Sequence, residues 1–298
     1  MPDLEDLFPG FQSRTVPTEA GRIFARFGGS GPPLALLHGF PETMAMWHTL
    51  AAPLSRRFSV VLIDLRGYGW SSAPSSRNGE GYAKRESGKD VVSVMADLGH
   101  AAFALAGHDR GARVGYRLAL DQPGRITKLA LLDILPTSEV WKRIEAGTGT
   151  SPHWPELAEP EPGPEDEIKR DPDRYFSGLM AKWSAAKSLD VFDPRALAHY
   201  QAAWGDPSRI HAMCEDYRAG ASQDRRADEE DRAAGRTIGA PTLILASSGY
   251  LDAHGGQPAL DVWRETFAPN AEGVRVDSGH FVVEEAPGAT LRALDAFF

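Results

Sequence analysis

The chain has 298 residues, 42% of them hydrophobic and 24% charged, which is the balance of an ordinary globular protein. Forty-one acidic against thirty-two basic residues leave a net charge of −9, which argues against nucleic acid and acidic membranes as partners. The single cysteine, Cys214, excludes an internal disulfide, suits a reducing compartment and reads as a small buried side chain.

The opening stretch MPDLEDLFPGFQSR is acidic and carries no basic region followed by a long apolar run, so no secretory signal is expected. No segment approaches the ~20 apolar residues of a membrane span, and the expectation is a cytoplasmic protein. Residues 14–27 alternate around a Glu-Ala-Gly turn and predict a hairpin. After the Gly/Pro-rich break at 28–33, short apolar runs alternate with amphipathic stretches. Strands are predicted over 34–39, 59–65, 101–107 and 126–134, and helices over 44–57, 89–99 and 110–123. Continuous apolar strands interleaved with helices imply a mostly parallel sheet covered on both faces.

That rhythm stops at residue 136. Residues 136–232 hold Trp141, Trp154, Trp183 and Trp204, a Pro/Glu-rich stretch and several helical patterns, but no buried-strand pattern. It resumes with a strand over 241–248, a helix over 259–268, a strand over 273–279 and a helix over 289–298. The simplest account is an α/β core (1–135 and 236–298) interrupted by a helical cap (136–235). The charged run SQDRRADEEDRAAGR (222–236) reads as a solvated helix face.

The most specific motif is Gly107-His108-Asp109-Arg110-Gly111, between a predicted strand and a predicted helix. Flanking glycines permit a strained turn that holds the central side chain above the sheet edge, facing a helix N-terminus. With aspartate rather than serine at the centre, the chemistry is displacement at an sp³ carbon, leaving an ester that water must cleave. The bland reading is an ordinary turn with Asp109 as a helix cap.

Cleaving such an ester needs a base. His280, in DSGHFVVEEAP after the last predicted strand, is the candidate. Its ring needs a carboxylate to set the tautomer, and both Asp133 and Asp252 qualify by position. The turn His38-Gly39-Phe40-Pro41 offers the Phe40 N–H, which with the Arg110 N–H would form an oxyanion hole. His38 and His108 read as structural.

These residues resemble the aspartate-nucleophile branch of the α/β-hydrolases, and within it the fluoroacetate (haloacetate) dehalogenases. The similarity runs through DLFPGF, HGFP, DLRGYGWS, LAGHDRGARVGYRLALD, LDILPT, the His-Trp pair at 153–154, FDPRA, CEDYRAG, PALDVW and SGHFVVEEAP. It implies an α/β-hydrolase fold with Asp109 as nucleophile, His280 as base and Asp133, rather than Asp252, as the acid orienting it. It assigns Arg110 and Arg113 to the substrate carboxylate, a pairing that suits their i, i+3 spacing and guanidinium forks. It assigns His153, Trp154 and Tyr217 to a halide pocket, where N–H and O–H donors would replace the hydration of the departing ion. Trp183 matches a pocket-lining position. The resemblance also implies a homodimer. No cofactor is called for, and no metal-ligand spacing is present.

Two stretches depart from the family pattern: SSGY and HGG (247–250 and 254–256) after the seventh predicted strand, and the acid- and proline-rich segment 155–173. An epoxide hydrolase would use the same Asp-His-Asp set with two cap tyrosines, for which Tyr175, Tyr200 and Tyr217 are candidates; paired arginines give it no advantage. A haloalkane dehalogenase has equally little use for them, and a non-catalytic receptor would be expected to lack a catalytic member.

Overall fold

The structure is a computed structural model that describes residues 4–148, 151–253 and 256–298; His254 and Gly255 of the HGG stretch lie outside the described residues. Eight strands form one sheet in the order β1-β2-β4-β3-β5-β6-β7-β8. β1 (Gln12–Thr18) and β2 (Gly21–Gly28) form the antiparallel hairpin, and β2 joins β4 antiparallel. The other neighbours, among β3 (Pro33–Leu37), β4 (Ser59–Ile63), β5 (Phe103–His108), β6 (Ile126–Leu132), β7 (Thr242–Ser247) and β8 (Glu272–Val276), pair in parallel. β5 and β7 are buried along their whole length, as strands covered on both faces must be, whereas the edge strand β8 is exposed at four of its five residues.

In the first half of the core, α1 (His48–Leu54), α2 (Lys84–Asp97) and α3 (Asp109–Asp121) alternate with the strands; α11 (Ala259–Thr266), α12 (Val282–Glu285) and α13 (Pro287–Phe297) complete it. Two helices differ from the sequence expectation. The stretch predicted as one helix over 44–57 opens as a 3-10 turn, Met44–Trp47, before α1; the Asp64 carboxylate takes the Met44 N–H (2.8 Å) and Thr43 takes that of Ala45 (3.3 Å). α2 begins five residues before the predicted 89, because the distant Asp224 carboxylate accepts the Lys84 N–H (2.8 Å). A cap supplied from 140 residues away leaves no local signal.

Between β6 and β7, which pair directly, the described residues form seven α-helices: α4 (Thr137–Glu145), α5 (His153–Leu157), α6 (Gly163–Ile168), α7 (Pro172–Trp183), α8 (Pro194–Trp204), α9 (Pro207–Ala219) and α10 (Arg225–Ala233). A π turn, Gly220–Asp224, splices α9 to α10. Trp204 ties this helical segment to the core by donating its indole N–H to the Pro41 carbonyl (2.8 Å). The 222–236 run is not simply a solvated face: Asp224, Asp228 and Asp231 are buried. Asp228 accepts from the Tyr116 hydroxyl and the Ser138 N–H (3.0 Å each), and Asp231 pairs with Arg117. Charge alone therefore misled, because these carboxylates face buried donors on α2, α3 and α4. Cys214 is buried, as expected. Among the described residues no helix is long and apolar enough to cross a membrane.

Candidate active site

Asp109 stands at the junction of β5 and α3 with φ +42°, a backbone conformation that costs a non-glycine residue of order 1–3 kcal/mol. The flanking glycines are sterically required. A Cβ on Gly107 would lie 2.5 Å from the Gly111 carbonyl, and one on Gly111 would lie 2.5 Å from Leu37. The Phe40 N–H donates to Asp109 Oδ1 (3.1 Å), so the HGFP turn meets the elbow at the aspartate itself. Burial alone would raise the Asp109 carboxyl. The positive charges of Arg110, His280 and Arg113 outweigh it and hold the group well below the ordinary carboxylate range.

His280 Nδ1 lies 2.7 Å from Asp133 Oδ2, while the other oxygen of Asp133 accepts the Ser247 N–H (2.8 Å). Asp133 is itself at φ +57°. With its Nδ1–H donated to a carboxylate, the ring keeps the Nε2 lone pair free. Asp252, the other candidate, instead caps α11 by accepting the Ala259 N–H (3.0 Å). The His280 backbone N–H donates to the Trp183 carbonyl (3.0 Å), joining the loop to the end of α7.

Arg110 and Arg113 are both buried. Arg110 Nε is 3.7 Å from Asp109 Oδ1 and 3.7 Å from Asp216 Oδ2, too far for a hydrogen bond to either, and none of its three guanidinium nitrogens has a partner. Its Cζ lies 3.6 Å from the Tyr217 ring centroid and 4.8 Å from that of Trp154. Arg113 donates from Nη1 to Leu135 O (3.0 Å) and Thr137 Oγ1 (3.1 Å), while its Nε is unpartnered. A buried charge with unmet hydrogen-bonding capacity is costly unless a ligand meets it.

A cavity of about 300 Å³ opens over these groups, lined by Asp109, Arg113, His153, Trp154, Trp183, Tyr217 and His280 among others. Arg110 and Phe40 are not in its lining; Arg110 lies behind Tyr217. His153 packs 4.5 Å from Trp183 and 5.6 Å from Tyr217, ring centre to ring centre. Burial, then the Arg110 charge, lowers the His153 pKa to about 3, so its ring is neutral with one N–H. Burial pushes the Tyr217 phenol up and keeps it a donor.

Sequence reasoning missed several participants. Tyr250, within the unusual SSGY, lines the cavity with its ring 4.5 Å from that of His280. Beneath the elbow, His108 Nε2 faces the His280 carbonyl (2.9 Å) and Nδ1 faces Glu42 (3.0 Å). Glu42 neighbours Glu284, which accepts from the Tyr200 hydroxyl (2.9 Å). Burial pushes both carboxyls up. His38 is structural: its Nε2 accepts the Leu65 N–H (3.0 Å), its Nδ1 faces the Gly39 carbonyl (2.9 Å), and burial lowers its pKa to about 4.

A parallel sheet carrying an Asp elbow, a His-Asp pair and a histidine loop defines a class. The alpha/beta hydrolase fold family matches residues 32–287, and the chain belongs to that family. Its full-length similarity is to a fluoroacetate dehalogenase of a Burkholderia species, 39% identical over 98% of this chain and 95% of that one. It is also 29% identical to a soluble epoxide hydrolase of Corynebacterium sp. (strain C12), over 91% of each chain. Among solved structures, a mutant Pseudomonas aeruginosa protein described as an epoxide hydrolase, with bound MFA, superposes with a TM-score of 0.91. That protein is 40% identical, with 98% of this chain and 97% of that one covered.

Proposed function

We propose that the protein hydrolyses the carbon–halogen bond of a short 2-haloacid such as chloroacetate or fluoroacetate. The observation that carries this reading is the pair of buried arginines beside an ionised Asp109, with Arg113 Nε and all three Arg110 guanidinium nitrogens lacking a protein acceptor. A substrate carboxylate is the ligand that meets both the charge and the fork geometry. The helical segment 136–235 acts as a cap that closes over it and excludes water.

In the first step an Asp109 carboxylate oxygen attacks the α-carbon opposite the halogen; the carbon–halogen bond breaks and the halide takes the electron pair. His153, Trp154 and Tyr217, all lining the cavity, stabilise the departing ion. In the second step His280 Nε2 takes a proton from water, whose oxygen attacks the Asp109 ester carbonyl. The developing oxyanion is held by the Phe40 N–H, which already bonds Asp109 Oδ1. Collapse breaks the ester C–O bond; the leaving alkoxide takes the proton from His280, steadied by Asp133, and departs as the 2-hydroxyacid, while the Asp109 carboxyl loses its proton to water.

Epoxide hydrolysis uses the same first step but needs two cap hydroxyls at the epoxide oxygen. Of Tyr175, Tyr200 and Tyr217, Tyr217 alone is in the described cavity lining, and the Tyr200 hydroxyl is taken by Glu284. Incubation with chloroacetate, fluoroacetate and a styrene-type epoxide tests the choice. Halide release is expected from the haloacids; diol without halide would overturn the assignment. In His280→Ala an ester should accumulate on Asp109, visible by intact mass.

A further inference from the structure

The buried cations around the elbow are not equivalent, and the difference lies in what holds Asp216. Asp216, on α9 next to Tyr217, is the nearest carboxylate to Arg110 apart from Asp109. A guanidinium and a carboxylate buried side by side ordinarily close into a two-bond fork. Here they do not: the separation is 3.7 Å and the Arg110 nitrogens stay unpartnered. Both Asp216 oxygens are occupied by other donors. The Lys84 ammonium takes Oδ1, and the Tyr68 hydroxyl takes Oδ2 at 3.1 Å.

We propose that Lys84 is a positioning residue that holds Asp216 away from Arg110 and so keeps the Arg110 guanidinium available for an anionic ligand. The inference rests on the haloacid reading above, in which that ligand is the substrate carboxylate. Lys84 touches no cavity-lining group in this scheme; it acts through Asp216.

The fold invests in this contact. Lys84 is 2% exposed, an unusual state for a lysine, and it opens α2 with no side-chain cap from its own neighbourhood. Asp224 supplies that cap through the Lys84 N–H (2.8 Å), and its second oxygen sits 3.6 Å from the ammonium. Asp216 and Asp224 are eight residues apart, which at 3.6 residues per turn would leave them about 80° apart on a regular helix. The π turn Gly220–Asp224 lies between them, and its wider winding turns Asp224 back to the face that meets Lys84. The local irregularity thus builds a two-carboxylate seat for one ammonium. Arg110 is excluded from that seat.

The test measures carboxylate binding apart from turnover, using acetate as the probe and the fluorescence of the cavity tryptophans as the signal, with halide release recorded alongside. Lys84→Met should weaken acetate binding at least tenfold and raise KM for chloroacetate in step, with kcat changed less than threefold. Adding Asp216→Asn removes the competing carboxylate, so the double variant should return to within threefold of the wild-type acetate affinity. Unchanged binding in Lys84→Met would overturn the proposal, as would a double variant no better than the single. Should Lys84→Met not fold, Asp216→Asn alone decides: acetate should bind about threefold more tightly, and equal or weaker binding counts against the proposal. A wild-type protein that neither binds acetate nor releases halide removes the haloacid reading itself. Wild-type binding without the Lys84 effect removes this inference alone.

Discussion

Asp109 has its charge set by neighbours rather than by exposure, and that has a measurable consequence. Its pKa is held low chiefly because Arg110, His280 and Arg113 outweigh the cost of burial. A carboxylate with a depressed pKa stays ionised as pH falls until that low value is reached. Arg110 and Arg113 remain in His280→Ala, so in the proposed reaction the amplitude of its ester formation in a single turnover should be constant from pH 8 down to pH 5. A proportionate fall over that range would show that Asp109 titrates there. Arg113 offers a second test. Its guanidinium spends Nη1 on Leu135 and Thr137 and leaves Nε over the site, a division of donors that an ammonium cannot reproduce. Arg113→Lys should raise KM for a haloacid about tenfold or more, with a smaller change in kcat; an unchanged KM would remove Arg113 from substrate binding. The elbow and the two arginines were legible because they are contiguous in sequence. Lys84, Asp216 and Glu42 were not, since each acquires its neighbours only through the fold.

At the scale of elements, the helices between β6 and β7 meet the core through charge as well as through apolar packing. α10 presents Asp228 to Tyr116 on α3 and to the N-terminal end of α4, with Arg117 Nη1 3.8 Å away. Burial raises the Asp228 pKa to about 6. Asp228→Ala would leave the Ser138 N–H without its acceptor and take one of two acceptors from the Tyr116 hydroxyl, at a cost of about 1–3 kcal/mol. Urea unfolding should show that loss as a lower midpoint at unchanged slope; a loss under about 0.5 kcal/mol would mean water replaces the carboxylate. The alternation of strands and helices along the chain could be read from hydrophobic pattern, because strands buried on both faces must be continuously apolar, whereas the order of the strands in the sheet came from the structure. The boundaries of α1 and α2 could not, because Asp64 and Asp224 cap them from elsewhere in the chain.

Over the whole molecule, stability and pH are coupled through acids with no exposed surface. Glu42 is raised from an ordinary 4.5 to about 8 by burial. An acid whose pKa is higher folded than unfolded binds its proton more tightly in the native state, so its contribution to stability falls as pH rises between those two values. Between pH 5 and pH 8 the melting temperature of Glu42→Gln, which keeps the hydrogen-bonding shape without the titration, should rise relative to that of the wild type. An equal slope in both proteins would sink the idea that Glu42 holds a proton near neutrality. The sequence alone determined a mostly parallel α/β sheet interrupted by a helical segment, written in local periodicity, and the position of the elbow, written in one five-residue turn; the α/β-hydrolase fold followed from the resemblance its motifs carry. The choice of Asp133 over Asp252 came from the resemblance and not from spacing, and only the tertiary structure decided which lysine meets Asp216 and why three acids of a charged run are buried. Those choices depend on the approach of groups tens to hundreds of residues apart, and the packed core sets that approach.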